Sequence, residues 1–133
     1  MKKFIILTIV FLTFANANVQ IVTSKACKLE SISKSDIKKL FMLKKTEIGK
    51  EKIKVIDSTN KKLYNDFIVT YLNKSVRKIK TYWVRMLFTG KKIPPKKLST
   101  EELTTLADKE SCYFAYVAKE KDMPKDWKII KIK

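Results

Sequence analysis

The stretch from Tyr82 to Pro95, Tyr-Trp-Val-Arg-Met-Leu-Phe-Thr-Gly-Lys-Lys-Ile-Pro-Pro, leaves the chain few conformational choices. Trp83 and Met86 continue a helical spacing begun by Val76 and Ile79, while Arg77, Lys78, Lys80 and Arg85 fall on the opposite face. Gly90 offers the positive φ that ends such a helix. Pro94-Pro95 then holds the chain extended. An amphipathic helix must therefore stop near residue 90 and hand over to an extended segment.

The same alternation runs through the rest of the chain. Residues 18–23, Asn-Val-Gln-Ile-Val-Thr, read as a first strand. Ser33 caps the next helix, with Asp36 at its third position and Ile32 and Ile37 as a hydrophobic staple. That helix runs to about Leu43. Residues 52–57 read as a second strand. Ser58 or Thr59 then caps a helix whose wide apolar face carries Leu63, Tyr64, Phe67, Ile68, Tyr71 and Leu72. Asn73-Lys74 breaks it, and Ser75 caps the helix that reaches Gly90. Ser99 with Glu102, and Leu98 with Leu103, form a capping box and staple. Cys112 to Val117 is apolar on both faces and reads as a central strand. Trp127 to Ile132 alternates as a last strand. Strands alternating with helices imply an α/β layer fold with a mostly parallel sheet.

The first residues stand apart. Lys2 and Lys3 precede an apolar run of 11 residues, Phe4 to Phe14, and Ala15-Asn16-Ala17 forms an A-x-A cleavage site. A membrane span needs about 20 apolar residues, so the segment reads as a signal peptide over residues 1–17. The mature domain is then residues 18–133, exported to the periplasm. Asn18, not a cysteine, directly follows the cleavage site, so a lipid anchor is not expected.

The full chain carries a net charge of +17. Removing Lys2 and Lys3 leaves about +15, a charge that steers acidic partners over long range. Anionic membrane surfaces, polyanions and small anions all fit, as does a surface that is merely solvated. Cys27 and Cys112 are the only cysteines. In an exported chain an even count suggests a disulfide. With no histidine, a zinc site lacks ligands, and the usual acid–base group near neutral pH is absent. Ser31-Ile32-Ser33-Lys34 matches Ser-x-x-Lys, but Ser33 is better used as a cap. No catalytic residue, metal or cofactor is expected, and the chain reads as non-enzymatic.

A small-anion site is suggested where the second strand feeds its helix. Ser58, Thr59 and Asn60, with Lys61 or Lys62 adding charge, lie where free N–H groups and the helix dipole can hold phosphate. An ordinary helix cap explains the same residues. A basic helix face beside Tyr82 and Trp83 also fits a nucleic acid, but the aromatics sit at core spacing and export removes that partner.

Four stretches resemble the phosphate-binding periplasmic substrate-binding proteins of ABC transporters, and most closely their short single-lobe members. They are a strand followed by Ile32-Ser33-Lys34-Ser35-Asp36-Ile37-Lys38-Lys39-Leu40-Phe41; the turn from Ile56 to Phe67; Tyr82-Trp83 through Phe88-Thr89-Gly90-Lys91 with Pro94-Pro95; and Tyr113 to Val117. The resemblance implies one lobe of the type 2 periplasmic-binding-protein fold, a three-layer α/β sandwich. It implies inorganic phosphate or another small anion as ligand and a transporter or envelope protein as partner. The family's Arg and Ser-Gly-Thr phosphate motif is absent: Asp57 stands at the arginine, and Asn60-Lys61-Lys62-Leu63 replaces the rest. The alternative is a basic envelope protein without a small-molecule ligand, docking on a polyanion, a protein partner or, peripherally, an anionic membrane.

Overall fold

A computed structural model describes residues 19–106, 110–119 and 123–133. The expected signal peptide lies outside the described residues. The elements run β1 (Val19–Ser24), β2 (Ser31–Ile32), α1 (Lys34–Phe41), β3 (Glu47–Ile48), β4 (Glu51–Ser58), α2 (Lys61–Phe67), a π-helical turn (Ile68–Leu72), α3 (Val76–Phe88), β5 (Lys96–Leu98), α4 (Thr100–Leu103) with a 3₁₀ turn (Thr104–Leu106), β6 (Cys112–Ala118), β7 (Trp127–Ile129) and β8 (Lys131–Ile132).

The fold is α/β, built on a six-stranded sheet in the order β3-β4-β6-β1-β7, with β5 also on β4. The sheet is mixed, which corrects the mostly parallel expectation. β4 runs parallel to β6 and β5, but β1 is antiparallel to both β6 and β7. The disulfide fits this hand of pairing. Cys27 follows the end of β1 and Cys112 opens β6, and those ends meet only in an antiparallel pair. Cys27 and Cys112 are joined, with Cα atoms 4.5 Å apart. The expected last strand splits at Ile130: β7 extends the main sheet, and β8 pairs in parallel with β2.

Both faces of the sheet are covered, as the two-sided apolar character of β6 requires. Phe114 and Tyr116 point with Ile21, Ile53 and Val55 into a core shared with Ile37, Leu40 and Phe41 of α1, Phe67 of α2 and Ile79 and Trp83 of α3. Ala115 and Val117 point the other way, against Val22, Ile56, Leu98, Leu103 and Trp127. Phe67 is fully buried, stacked on Tyr116 at 3.9 Å between centroids and edge-on to Phe41 at 4.6 Å. Burial of such a side chain stabilises the fold by about 2–3 kcal/mol.

The helix caps form as the residues dictate. Ser33 and Ser75 accept from the third amide of their helices, and Ser99 and Glu102 close a reciprocal capping box. Gly90 takes φ +65° after α3. Asn73, at φ +51°, closes the π turn that widens the end of α2. The cap of α2 is Asn60 rather than Ser58 or Thr59, because β4 continues through Ser58 in register with Leu98 of β5.

Candidate anion-binding surface

The expected turn, Ser58-Thr59-Asn60-Lys61, sits at the carboxyl end of β4, and the amides of Ser58, Thr59 and Asn60 are already engaged. Ser58 N–H donates to the Tyr116 hydroxyl at 3.1 Å. Thr59 N–H donates to the Leu98 carbonyl at 3.1 Å. Asn60 N–H donates to Ser58 Oγ at 3.0 Å, and Leu63 N–H to Asn60 Oδ1 at 3.1 Å. Ser58 is buried, while Lys61 and Lys62 are exposed. The chain therefore uses for itself the backbone donors of Ser58, Thr59 and Asn60.

Asp57 adds a charge of the wrong sign. It lies one residue upstream on the core face of β4 and is 8% exposed. Its Oδ1 accepts from the Tyr116 hydroxyl at 2.8 Å. Burial pushes its carboxyl up to about 6, against the Tyr116 hydrogen bond and the nearby Lys97 charge, which pull it down. Burial and this carboxylate together push the Tyr64 hydroxyl up to about 12 and the Tyr116 hydroxyl far above its ordinary range. Lys97, the register partner of Asp57, lies over the Tyr64 ring at 4.3 Å. These groups border a groove of ≈ 350 Å³ that Lys80, Trp83 and Pro94 help to line. An anion entering there meets Asp57.

A second groove, of ≈ 470 Å³, has no such opposition. Lys44, Lys74, Arg77, Lys78 and Arg85 line it with Met42, Thr81 and Tyr82, and no carboxylate takes part. Helical spacing explains one wall. Arg77, Lys78, Thr81, Tyr82 and Arg85 form a stripe along α3, about 12 Å long at 1.5 Å per residue. A long-range contact makes the other. Tyr82 donates its hydroxyl to the Met42 carbonyl at 2.8 Å, pinning the turn after α1 against α3. Leu43 in that turn adopts φ +53°, and the turn lays Lys44 over the Tyr82 ring at 5.9 Å. Lys74 joins from the turn between the π helix and α3. No ion pair engages any of these five cations among the described residues.

Spacing alone identifies the basic face of α3 but not its union with Lys44 and Lys74. One signal points there. Between Asp66 and Glu101 the chain has nine Lys or Arg residues and no Asp or Glu. Neither protein-family models nor the curated proteins match this sequence.

Proposed function

We propose that this chain is an exported, non-enzymatic binding domain, a single lobe of the type 2 periplasmic-binding-protein kind. On this reading it works in the periplasm, in association with an envelope or transport partner, by holding several phosphate-type oxyanions at once. The observation that carries the reading is the convergence of Lys44, Lys74, Arg77, Lys78 and Arg85 on one groove with no carboxylate in its lining. The helices on one face of the sheet and α4 on the other are compatible with a three-layer lobe. The spread of the cations over two turns of α3 suits a row of anionic groups better than one tetrahedral ion. The turn at Ser58 to Lys61 supports single-phosphate capture poorly, because the amides of Ser58, Thr59 and Asn60 are bonded within the chain and Asp57 adjoins it.

The test uses the chain from Asn18 onward, which carries every described element of the fold. Polyphosphate is titrated by calorimetry at several salt concentrations, with inorganic phosphate at matched ionic strength as the comparison. Polyphosphate should bind, with log affinity falling against log salt with a slope of about −4 if all five cations neutralise charge. Arg77→Glu with Lys78→Glu should remove most of the affinity. Absence of polyphosphate binding at low salt would overturn the reading. So would saturable inorganic phosphate binding that Ser58→Ala and Thr59→Ala abolish, which would return the site to the strand–helix turn.

A further inference from the structure

The carboxyl-terminal end of α3 exposes a group of large apolar side chains that the fold does not use. Phe88 is 88% exposed, Ile93 76%, Leu87 53% and Val84 47%. Single exposed apolar residues are ordinary, but a contiguous set is not. Val84, Leu87 and Phe88 are i, i+3 and i+4 neighbours on the helix and so form one stripe. Ile93 follows across the Gly90 turn. That turn is well fixed: Thr89 Oγ1 donates to the Arg85 carbonyl at 2.9 Å, Gly90 N–H to the Leu87 carbonyl and Lys91 N–H to the Met86 carbonyl, both at 3.1 Å. Pro94-Pro95 limits the chain beyond Ile93.

The cations around this tip specify what it meets. Lys80 and Arg77, about one and two turns before Val84, continue the line of the apolar stripe toward the start of α3, and Arg85 lies beside it. Lys91 and Lys92 lie in the turn itself. The segment has no Asp or Glu. We propose that the end of α3 docks peripherally on an anionic lipid bilayer. Phe88, Ile93, Leu87 and Val84 enter the headgroup boundary, while Lys80, Arg85, Lys91 and Lys92 sit among the lipid phosphates. Apolar side chains ringed by long basic ones match that interface, because the aliphatic stems follow the apolar tip and the charged ends stay at the phosphates. Clustered Lys and Arg next to an apolar anchor are attracted by the negative surface potential of anionic lipid. A second copy of the chain is a poor occupant, since it would bring two like-charged rims together. No described helix is long and apolar enough to cross a membrane. The proposal rests on the reading of the α3 groove as phosphate-binding and names lipid headgroups as the source of those phosphates.

The test is co-sedimentation with vesicles of phosphatidylcholine and phosphatidylglycerol, with pure phosphatidylcholine vesicles and polyphosphate in parallel. The wild type should bind the mixed vesicles and not the neutral ones. Phe88→Ser with Ile93→Ser changes only exposed side chains. It should lower vesicle partitioning about tenfold or more, the usual scale for an apolar side chain returned to water, and leave polyphosphate binding unchanged. Phe88→Trp should shift its emission to the blue on the mixed vesicles and be quenched by brominated acyl chains. Wild-type partitioning by the double variant, or an unshifted tryptophan at position 88 in vesicle-bound protein, would overturn the proposal and leave the tip to a protein partner. Polyphosphate binding without vesicle binding would overturn the membrane proposal alone. Loss of both would overturn the groove reading on which it rests.

Discussion

Replacing Asp57 by Asn should stabilise the protein at neutral pH and do so less and less as the pH falls. The buried carboxyl of Asp57 is raised from 3.8 to about 6. The unfolded chain releases this proton near the ordinary value, and the folded chain holds it until about pH 6. Between those two values the native state binds more protons than the unfolded state, so stability falls as pH rises through the window. Above it the loss is complete. Each tenfold gain in proton affinity on folding corresponds to about 1.4 kcal/mol, so a rise of this size amounts to about 3 kcal/mol. Asn is nearly isosteric and still accepts from the Tyr116 hydroxyl, which lies 2.8 Å from Asp57 Oδ1. The residue borders the groove that Lys97 and Tyr64 also line. Urea unfolding of both proteins at about pH 3.5, 5 and 7.5 measures the effect across the window. The Asn variant should gain about 2–3 kcal/mol at the highest pH relative to its difference from wild type at the lowest, where Asp57 is largely protonated in both states. A variant that loses stability at the highest pH would refute the reasoning. It would mean that attraction to Lys97 outweighs the cost of burying the charge. A difference that does not change with pH would refute it equally.

Further outcomes follow from named contacts. Asn60→Ala removes the oxygen that accepts from Leu63 N–H and should cost about 1 kcal/mol, whereas Thr59→Ala, at an exposed position, should be nearly neutral; chemical denaturation of the two variants separates the caps. Reduction of Cys27–Cys112, or Cys27→Ser with Cys112→Ser, opens a loop with a sequence separation of 85. It should cost about 4–5 kcal/mol in the chain-entropy model, seen as a large fall in melting temperature under reducing conditions.

Local chemistry was legible in the sequence wherever a single turn of chain decides the outcome. Ser33, Ser75, and Ser99 with Glu102 cap helices for reasons that lie within four residues, and Gly90 ends α3 because a left-handed residue is needed there. The central place of β6 follows from its two apolar faces. Strand neighbours are a different matter. Alternating elements say that helices intervene, not that β1 lies antiparallel to β6. Ser58-Thr59-Asn60 shows the limit clearly: each residue can cap, and the choice depends on how far β5 holds β4 in its ladder. The burial of Asp57 was likewise invisible, because a polar residue at a strand end looks the same whether or not a distant residue such as Tyr116 bonds it.

The candidate site was half legible for the same reason. Arg77, Lys78 and Arg85 share a helix face by spacing alone. Lys44 reaches them only because the Tyr82 hydroxyl bonds the Met42 carbonyl, a contact between residues far apart in sequence. That contact has a thermodynamic consequence. Holding five cations around one groove with no carboxylate in its lining raises the free energy of the unliganded domain through like-charge repulsion. Salt relieves the repulsion, and an anionic partner that preferred the native arrangement would relieve it too and stabilise the fold by mass action. The Lys25–Asp126 and Lys45–Asp36 pairs show that acids are used elsewhere on the surface, while the segment from Phe67 to Thr100 contains none. A surface shaped only by solvation has no reason to concentrate its cations on the helix that also leaves Phe88 in water. Charge and exposed apolar area on one helix end impose opposite demands on an isolated domain, and contact with an anionic interface satisfies both.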